Sequence, residues 1–170
     1  NSKSKILYAV TNRDFTNMLP YGIESFFEHY SNLKLLDNLC DEKKLKIIVK
    51  LHPGVSHLKK NFEIKFKNLK FSNEKIEKVL QDTFVTISFS STAIEDALVS
   101  KQPVILFDQW KRYKHCESEL NPINGNVAIY YVNDTNNLLL AIETIKNSSN
   151  KIKYKKYLYD GNIQKNFKAI

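Results

Sequence analysis

The chain has 170 residues, of which 42% are hydrophobic and 26% are charged, as is typical of one medium domain with a buried core. No apolar run approaches the roughly 20 residues that span a bilayer, so we expect no membrane span in it. The formal net charge of +8 favours anionic partners. Nucleic acid is not an expected partner, because no nucleic-acid-binding module is recognisable. Cys40 and Cys116 have neither metal-ligand nor redox spacing, which predicts reduced thiols.

Short apolar runs alternate with helical patterns along the chain. β-Branched and apolar composition predicts strands at 5–10, 46–51, 68–71, 84–88, 103–107 and 127–132. Helical spacing predicts helices at 21–39, 56–60, 73–81, 92–100 and 135–146, and the segment 152–170 is expected to be helical in two pieces. This alternation predicts an α/β fold: a Rossmann-like, doubly wound, mainly parallel sheet of about six strands with helices on both faces. Residues 1–170 are expected to form a single domain.

Polar segments follow several of the predicted strands. They lie at 11–14, 52–54, 89–92 and 108–110, and together they contain an arginine, a histidine, hydroxyls and acids. Parallel, doubly wound sheets bind ligands in the crevice outside the carboxyl ends of their strands. We therefore expect these polar segments to lie along one edge of the sheet.

Ser90, Ser91 and Thr92 stand between a predicted strand and a predicted helix. A helix N-terminus presents unpaired backbone N–H groups and a partial positive charge, and nearby hydroxyls add hydrogen-bonding groups. The segment is therefore suited to a phosphate. The alternative interpretation is that Ser91 or Thr92 simply caps the helix.

His52 follows another strand and is succeeded by Pro53 and Gly54. A proline biases the preceding residue towards extended geometry, which would hold the imidazole at the strand end. The glycine then allows a tight turn. An imidazole there can donate a hydrogen bond to phosphate, although it can also merely cap the edge of the sheet.

Two further groups are candidates for a nucleotide site. Glu95 could accept hydrogen bonds from a ribose diol, or it could complete a capping box with Thr92, and Asp96 is a less favoured substitute. Arg13 could hold a diphosphate in bidentate fashion, although exposed arginines are common.

Other features of the sequence are weaker signals. Trp110 and Tyr113 could stack on a nucleobase, although helix packing is the commoner use of such residues. His29 is expected at the surface or in an interface. Because no Walker, dinucleotide-binding or zinc motif occurs, neither a metal nor a cofactor is expected.

The segments KIIVKLHP (46–53) and FVTISFSSTAIEDALVSKQPVILFD (84–108) resemble the C-terminal, nucleotide-binding half of GT-B-type transferases. The resemblance is to enzymes that build bacterial surface polysaccharides: sialyltransferases, capsule Kdo and polysialic acid transferases, and CDP-glycerol glycerophosphotransferases of teichoic acid synthesis. These carry an HP motif and a later Ser-Ser or Ser-Thr motif, followed by a helix and a strand that begins with Pro-Val. KILYAVTNRDF (5–15) is similar to the first strand and loop of that half, and YLYDGNIQKNF (157–167) to the closing Asp-Gly segment of the glycerophosphotransferases.

The resemblance implies roles for the residues that match its motifs. His52 would contact the donor phosphate and stabilise the leaving group, Ser90, Ser91 and Thr92 would bind the same phosphate, and Glu95 would be a candidate for the ribose. Arg13, Pro53 and Gly54 would complete the binding site. The donor would be nucleotide-activated, with CMP- or CDP-linked donors favoured, and no metal or cofactor would be required.

The resemblance also implies that this chain is the C-terminal half of a larger two-domain enzyme. In the sialyltransferases the general base lies in the N-terminal half, so this domain alone could bind a donor and catalyse nothing. The expected function is donor binding in a glycosyl- or glycerophosphotransferase of capsule, teichoic acid or lipopolysaccharide synthesis. The expected location is cytoplasmic, with peripheral contact to the anionic inner face of the membrane. The alternatives are a sugar-nucleotide epimerase-like domain and a non-catalytic basic module that binds a polyanion or membrane.

Overall fold

The computed structural model describes residues 3–10, 20–111, 126–148, 152 and 154–157, with the backbone alone at 20–26 and 156. Within these ranges, six strands form one parallel sheet. The strands are β1 (Lys5–Ala9), β2 (Ile47–Lys50), β3 (Lys70–Ser72), β4 (Thr83–Ser88), β5 (Val104–Phe107) and β6 (Ile129–Val132). The predicted Rossmann-like α/β fold is therefore confirmed, and every predicted strand is present with its ends shifted by two residues at most.

Helices connect these strands. They are α1 (Pro20–Glu42), α2 (Lys59–Lys65), α3 (Ile76–Asp82), α4 (Ala93–Val99) and α5 (Thr135–Asn147), with 3-10 turns at Pro53–Leu58 and Tyr154–Tyr157. The short helix predicted at 56–60 is in fact the junction between the first 3-10 turn and α2. Of the segment 152–170, only the turn Tyr154–Tyr157 and residue 152 are described. None of the described helices combines the length and the apolar composition that crossing a bilayer requires.

The strand order is β3-β2-β1-β4-β5-β6, so successive crossovers run outward in opposite directions from the central pair β1 and β4. This pair forms the topological switch point, where the loops leaving the two strands turn to opposite sides and open a crevice. The hydroxyl of Ser88 donates to the carbonyl of Ala9 at 3.3 Å, which ties the carboxyl ends of the two central strands together.

The sheet is covered on both faces, as its apolar strands predict. Alternate strand residues point to opposite faces, so Tyr8 and Ile87 pack with α1, α2 and α5, whereas Leu7 and Leu106 pack with α3 and α4. Leu33 and Leu36 of α1 are completely buried against the first face. Two apolar layers therefore hold the sheet, and its polar residues are concentrated at the strand ends.

His29 is buried rather than exposed, which corrects the prediction of a surface or interface residue. The ring stacks on Tyr8 with their centroids 5.3 Å apart, and the Tyr8 hydroxyl lies 3.0 Å from His29 Nδ1. Burial lowers the pKa of His29 from 6.5 to about 3, so the ring is neutral at physiological pH. The prediction was wrong because the sequence pattern does not show whether this histidine lies on the buried or the exposed face of α1.

The start of α5 and the end of α4 are both capped by local hydrogen bonds. Asp134 is the N-cap of α5 and accepts a hydrogen bond from Asn137 N at 2.8 Å. At the end of α4, Lys101 N donates to Leu98 O at 3.0 Å and Gln102 N to Ala97 O at 2.8 Å. These bonds form a Schellman motif that places Lys101 at the left-handed position, with φ 53°.

Candidate functional site

A cleft of about 490 Å³ opens at the carboxyl ends of the strands around the switch point. We call it the switch-point cleft. Contributions come from the ends of β1 and β2, from the loop between β3 and α3, and from the start of α4. Its lining residues are Ala9, Val10, Lys50, Leu51, His52, Pro53, Asn73, Glu74, Lys75, Ile76, Glu77, Ser91, Thr92, Ala93 and Asp96. The HP motif and the Ser-Thr segment thus line the same cleft.

His52 is held in an extended conformation, with φ −64° and ψ 143°, as the following proline predicts. Its Nδ1 accepts a hydrogen bond from Gly54 N at 3.1 Å. A ring nitrogen that accepts carries no proton, so the neutral ring bears its proton on Nε2. Because His52 is exposed in the cleft, it offers this N–H to a ligand. Gly54 does not line the cleft, and its amide acts by orienting the imidazole.

Ser91, rather than Thr92, caps α4. Its Oγ accepts a hydrogen bond from Ala93 N at 3.2 Å, and its carbonyl accepts from Ile94 N at 3.0 Å. Thr92 already has helical dihedral angles, φ −59° and ψ −17°, and its side chain makes no capping hydrogen bond. The predicted capping box of Thr92 and Glu95 is therefore wrong. The exposed Thr92 hydroxyl is left for other contacts in the cleft.

Two of the predicted site residues lie outside the cleft lining. Ser90 is buried, with only 7% of its surface exposed, and Glu95 is exposed on the outer side of α4. Asp96, the less favoured candidate in the sequence, lines the cleft instead. Burial raises the pKa of Asp96, and the charges of Glu77 and Glu95 raise it further.

Other predicted groups are elsewhere or beyond the described residues. Arg13 and Tyr113 lie outside the described residues, as does Cys116. Trp110 is 43% exposed and borders a separate, very small hollow beside His29. Cys40 is a buried free thiol, and burial raises its pKa to about 11.

Lys50 is a charged residue of the cleft that the sequence analysis missed. It is the last residue of β2, pairs in register with Ala9 and Ser72, and is half-buried. Its Nζ donates to the carbonyl of Leu51 at 3.1 Å, and burial lowers its pKa. Within the described part of the chain, no carboxylate forms an ion pair with it. An ammonium without a counter-ion at the edge of a cleft is a ready partner for an anion.

The loop between β3 and α3 supplies the remaining charges. Lys75 is exposed in the cleft, and Glu77 stands beside it. Glu74 is paired with Lys78, whose hydrogen bond lowers the pKa of Glu74. The cleft therefore combines an imidazole, two ammonium groups and two hydroxyls with the acidic pair Glu77 and Asp96. Such a set can bind an anion through its cationic groups and hydroxyl groups through its carboxylates.

The sequence did contain a signal for Lys50 and for the loop between β3 and α3, which the sequence analysis missed. The rule that assembles strand ends along one edge applies equally to the last residue of a strand and to the loop after the short strand β3. Lys50 closes an otherwise apolar strand, and Asn73 and Lys75 follow the third. Among the described residues, no group of three or more histidine, cysteine, aspartate or glutamate side chains is arranged to hold a metal ion.

Comparison with protein-family profiles and with curated proteins finds no match. Among solved structures, the UDP-GlcNAc 2-epimerase of Methanocaldococcus jannaschii is similar, with a TM-score of 0.51 and 16% identity over 92% of this chain and 45% of that chain. The same enzyme in complex with UDP-GlcNAc and UDP gives a TM-score of 0.50 and 16% identity over 85% and 39%. KpsC of Thermosulfurimonas dismutans, a beta Kdo 2,7 transferase, matches at 21% identity over 62% and 34%, with a TM-score of 0.40.

These likenesses are structural, because the sequence identities are low. The chain spans less than half the length of the proteins that it matches. Similarity to the epimerase over nine-tenths of this chain shows a GT-B-like, Rossmann-type α/β fold.

Proposed function

We propose that this chain is the nucleotide-donor-binding domain of a glycosyl- or glycerophosphotransferase of bacterial surface polysaccharide synthesis. The product would be a capsule, a teichoic acid or a lipopolysaccharide. The observation that carries the proposal is that His52 and the Ser91–Thr92 segment line one cleft at the switch point of the sheet. This is where doubly wound sheets bind nucleotides.

In this proposal the phosphate next to the transferred group lies between the HP motif and the start of α4. The Nε2–H of His52 donates to it from one side, and the hydroxyls of Ser91 and Thr92 contact it from the other. Ser90 is buried beneath this segment and supports it. When the bond to the transferred group breaks, negative charge develops on the departing phosphate. Donors placed in advance stabilise that charge without reorganising.

Lys50 would add a full positive charge at the same end of the cleft. The ribose hydroxyls would contact Asp96, because Asp96 lines the cleft and Glu95 does not. We therefore assign the ribose to Asp96 in place of Glu95. Arg13 remains a proposed diphosphate ligand from the segment that follows β1. Pro53 holds His52 extended and also lines the cleft.

Transfer would require a second domain. None of the described carboxylates that line the cleft is both free of acidic neighbours and placed to act as a general base beside His52. The resemblance puts the general base in an N-terminal half. We infer that the isolated domain binds donor without turning it over. The acceptor would reach the shared cleft from an anionic membrane surface that the enzyme contacts peripherally on its cytoplasmic side.

Calorimetric titration with CMP, CDP and UDP tests the proposal, with CMP- or CDP-linked donors favoured. Failure of all three to bind at millimolar concentration would refute it. His52→Ala removes a charge-assisted hydrogen bond worth about 1.5–3 kcal/mol, so we expect roughly 10- to 150-fold weaker binding. His52→Asn keeps a capping acceptor for Gly54 N and should lose affinity while retaining stability. His57→Ala is the matched control, since His57 is exposed on the same turn and does not line the cleft.

A sugar-nucleotide epimerase-like domain is the second candidate. It is favoured by the similarity to the M. jannaschii enzyme, which was solved with UDP-GlcNAc and UDP. This candidate predicts a clear preference for UDP over CDP and CMP in the same titration. The third candidate, a non-catalytic basic module, predicts salt-sensitive polyanion binding without nucleotide preference. In that case His52→Ala changes nothing, whereas charge reversal of the lysines in 151–156 abolishes binding.

A further inference from the structure

A second hollow, of about 510 Å³, lies at the opposite edge of the sheet. It is formed where β4 and β5 begin, at Thr83, Phe84 and Pro103, and is closed by the end of α5. We call it the basal hollow. It shares no lining residue with the switch-point cleft, and the length of β4 separates the two by roughly 17 Å at about 3.3 Å per residue. A volume of this size is typical of a small-ligand site.

The charge at the basal hollow has one sign. Lys3, Lys101 and Lys146 line it, and no carboxylate does among the residues that the structure describes. None of these lysines forms an ion pair with a described acidic side chain. Ammonium groups that line one concavity repel each other, and a bound anion would relieve that repulsion.

Two of the three lysines are positioned by the backbone. Lys3 Nζ donates to Leu80 O at 2.9 Å, which anchors it at the rim. Lys101 occupies the left-handed position of the Schellman motif, where glycine is the preferred residue. The chain therefore holds a lysine where backbone geometry alone would favour glycine. Lys146 lies in the last turn of α5, next to Ile145 of the hollow wall.

The polar groups of the floor are already engaged with each other. Gln102 Nε2 donates to the carbonyl of Thr83 at 2.5 Å and to its hydroxyl at 3.0 Å. The hydroxyl of Thr83 donates to Val79 O at 3.1 Å. Phe84, Pro103 and Ile145 add apolar wall. Asn147, Ser148 and Tyr154 also line the hollow, but its formal charge comes from the lysines, which favours a compact, multiply charged anion.

We infer that the basal hollow binds a polyvalent phosphate group. Lysine ammonium groups suit phosphate as point charges, and three of them match a group that carries more than one negative charge. The group could belong to a soluble phosphorylated compound or to the headgroup of an anionic lipid. This site is independent of donor binding, because it lies at the other edge of the sheet.

The test uses tripolyphosphate as the soluble probe and vesicles of phosphatidic acid with phosphatidylcholine as the lipid probe, because phosphatidic acid ends in a phosphomonoester. Both are measured on a His52→Ala background, so that the cleft contributes little. The double variant Lys101→Gly with Lys146→Gln should weaken binding of the responsive probe by about tenfold or more. Lys34→Gln, an exposed lysine of α1 remote from the hollow, should change binding by less than about twofold.

The two probes separate the sources of phosphate. Tripolyphosphate binding that depends on the two lysines supports a soluble ligand, whereas lysine-dependent binding to phosphatidic acid vesicles alone supports a lipid headgroup. Absence of binding to both probes would overturn the inference. So would a loss in Lys34→Gln as large as in the double variant, because this would indicate diffuse surface charge. Lys101→Gly should raise thermal stability, so weaker binding in the double variant would not be a sign of unfolding.

Discussion

Replacing Lys50 with methionine should weaken nucleotide binding without weakening the fold. Methionine keeps a long apolar stem and removes the ammonium, which burial destabilises in the free protein, as its lowered pKa shows. The free energy of unfolding should therefore be unchanged or higher in the variant. If the Lys50 ammonium stabilised the fold, its removal would instead lower the free energy of unfolding.

The loss of affinity follows from the position of Lys50. A hydrogen bond between charged groups contributes about 1.5–3 kcal/mol, and solvent screens part of it because the side chain is only half-buried. We expect about 1.5–2 kcal/mol, or roughly a 10- to 30-fold increase in the Kd for CDP by calorimetry. Lys34→Met repeats the same chemical change on an exposed surface of α1 and should bind CDP like the wild type.

The pH dependence gives a second, independent readout for Lys50. In the free protein burial lowers the pKa of Lys50, and a bound phosphate favours the charged form and raises it. The contribution of Lys50 to the affinity should therefore fall as the pH rises through its free-protein pKa. The Lys50→Met variant should lack this decrease. Equal Kd values for variant and wild type, or an unchanged decrease in the variant, would refute the assignment.

Four further predictions follow from the described contacts. Lys101→Gly should relieve a left-handed conformation that costs about 1 kcal/mol, raising the melting temperature by about 2–4 °C; a decrease would contradict the Schellman geometry. Because the pKa of His29 is lowered from 6.5 to about 3, the free energy of unfolding should fall by up to about 1.4 kcal/mol per pH unit below pH 6.5, and His29→Gln should flatten that slope. Cys40, with its pKa raised to about 11, should resist iodoacetamide at neutral pH until denaturant is added; rapid labelling of the native protein at Cys40 would show that the thiol is accessible. Excess EDTA should leave CDP binding unchanged, and a loss of binding would indicate that a metal ion takes part.

The fold could be predicted from the sequence because runs of apolar residues mark its strands. PVILF at 103–107 is apolar throughout, as a strand covered on both faces must be, and it forms β5 with every residue buried. Helix ends were less accessible. Whether Ser91 or Thr92 caps α4 depends on the dihedral angles of a single residue, and both side chains are good caps.

The candidate site was accessible in part for the same topological reason. The carboxyl ends of parallel strands meet at one edge, so His52 and Ser91 could be placed together before any coordinates were known. What topology does not supply is the side of a helix or strand that faces the cleft. Glu95 and Asp96 are neighbours in sequence, yet a rotation of about 100° per residue along α4 turns only Asp96 into the cleft.

Three features that oppose folding lie at the two proposed sites. Lys50 is half-buried without an acidic partner among the described residues, burial and the neighbouring carboxylates raise the pKa of Asp96, and Lys101 occupies a position suited to glycine. Elsewhere in the described chain, the buried side chains of Tyr131 and Asp108 are hydrogen-bonded to each other. Departures from local consistency tend to mark sites where a ligand completes the interactions. The phosphate proposed for each edge of the sheet would supply the negative charge that pairs with Lys50 or with Lys101. Each ligand should therefore stabilise the protein most strongly when its lysine is present.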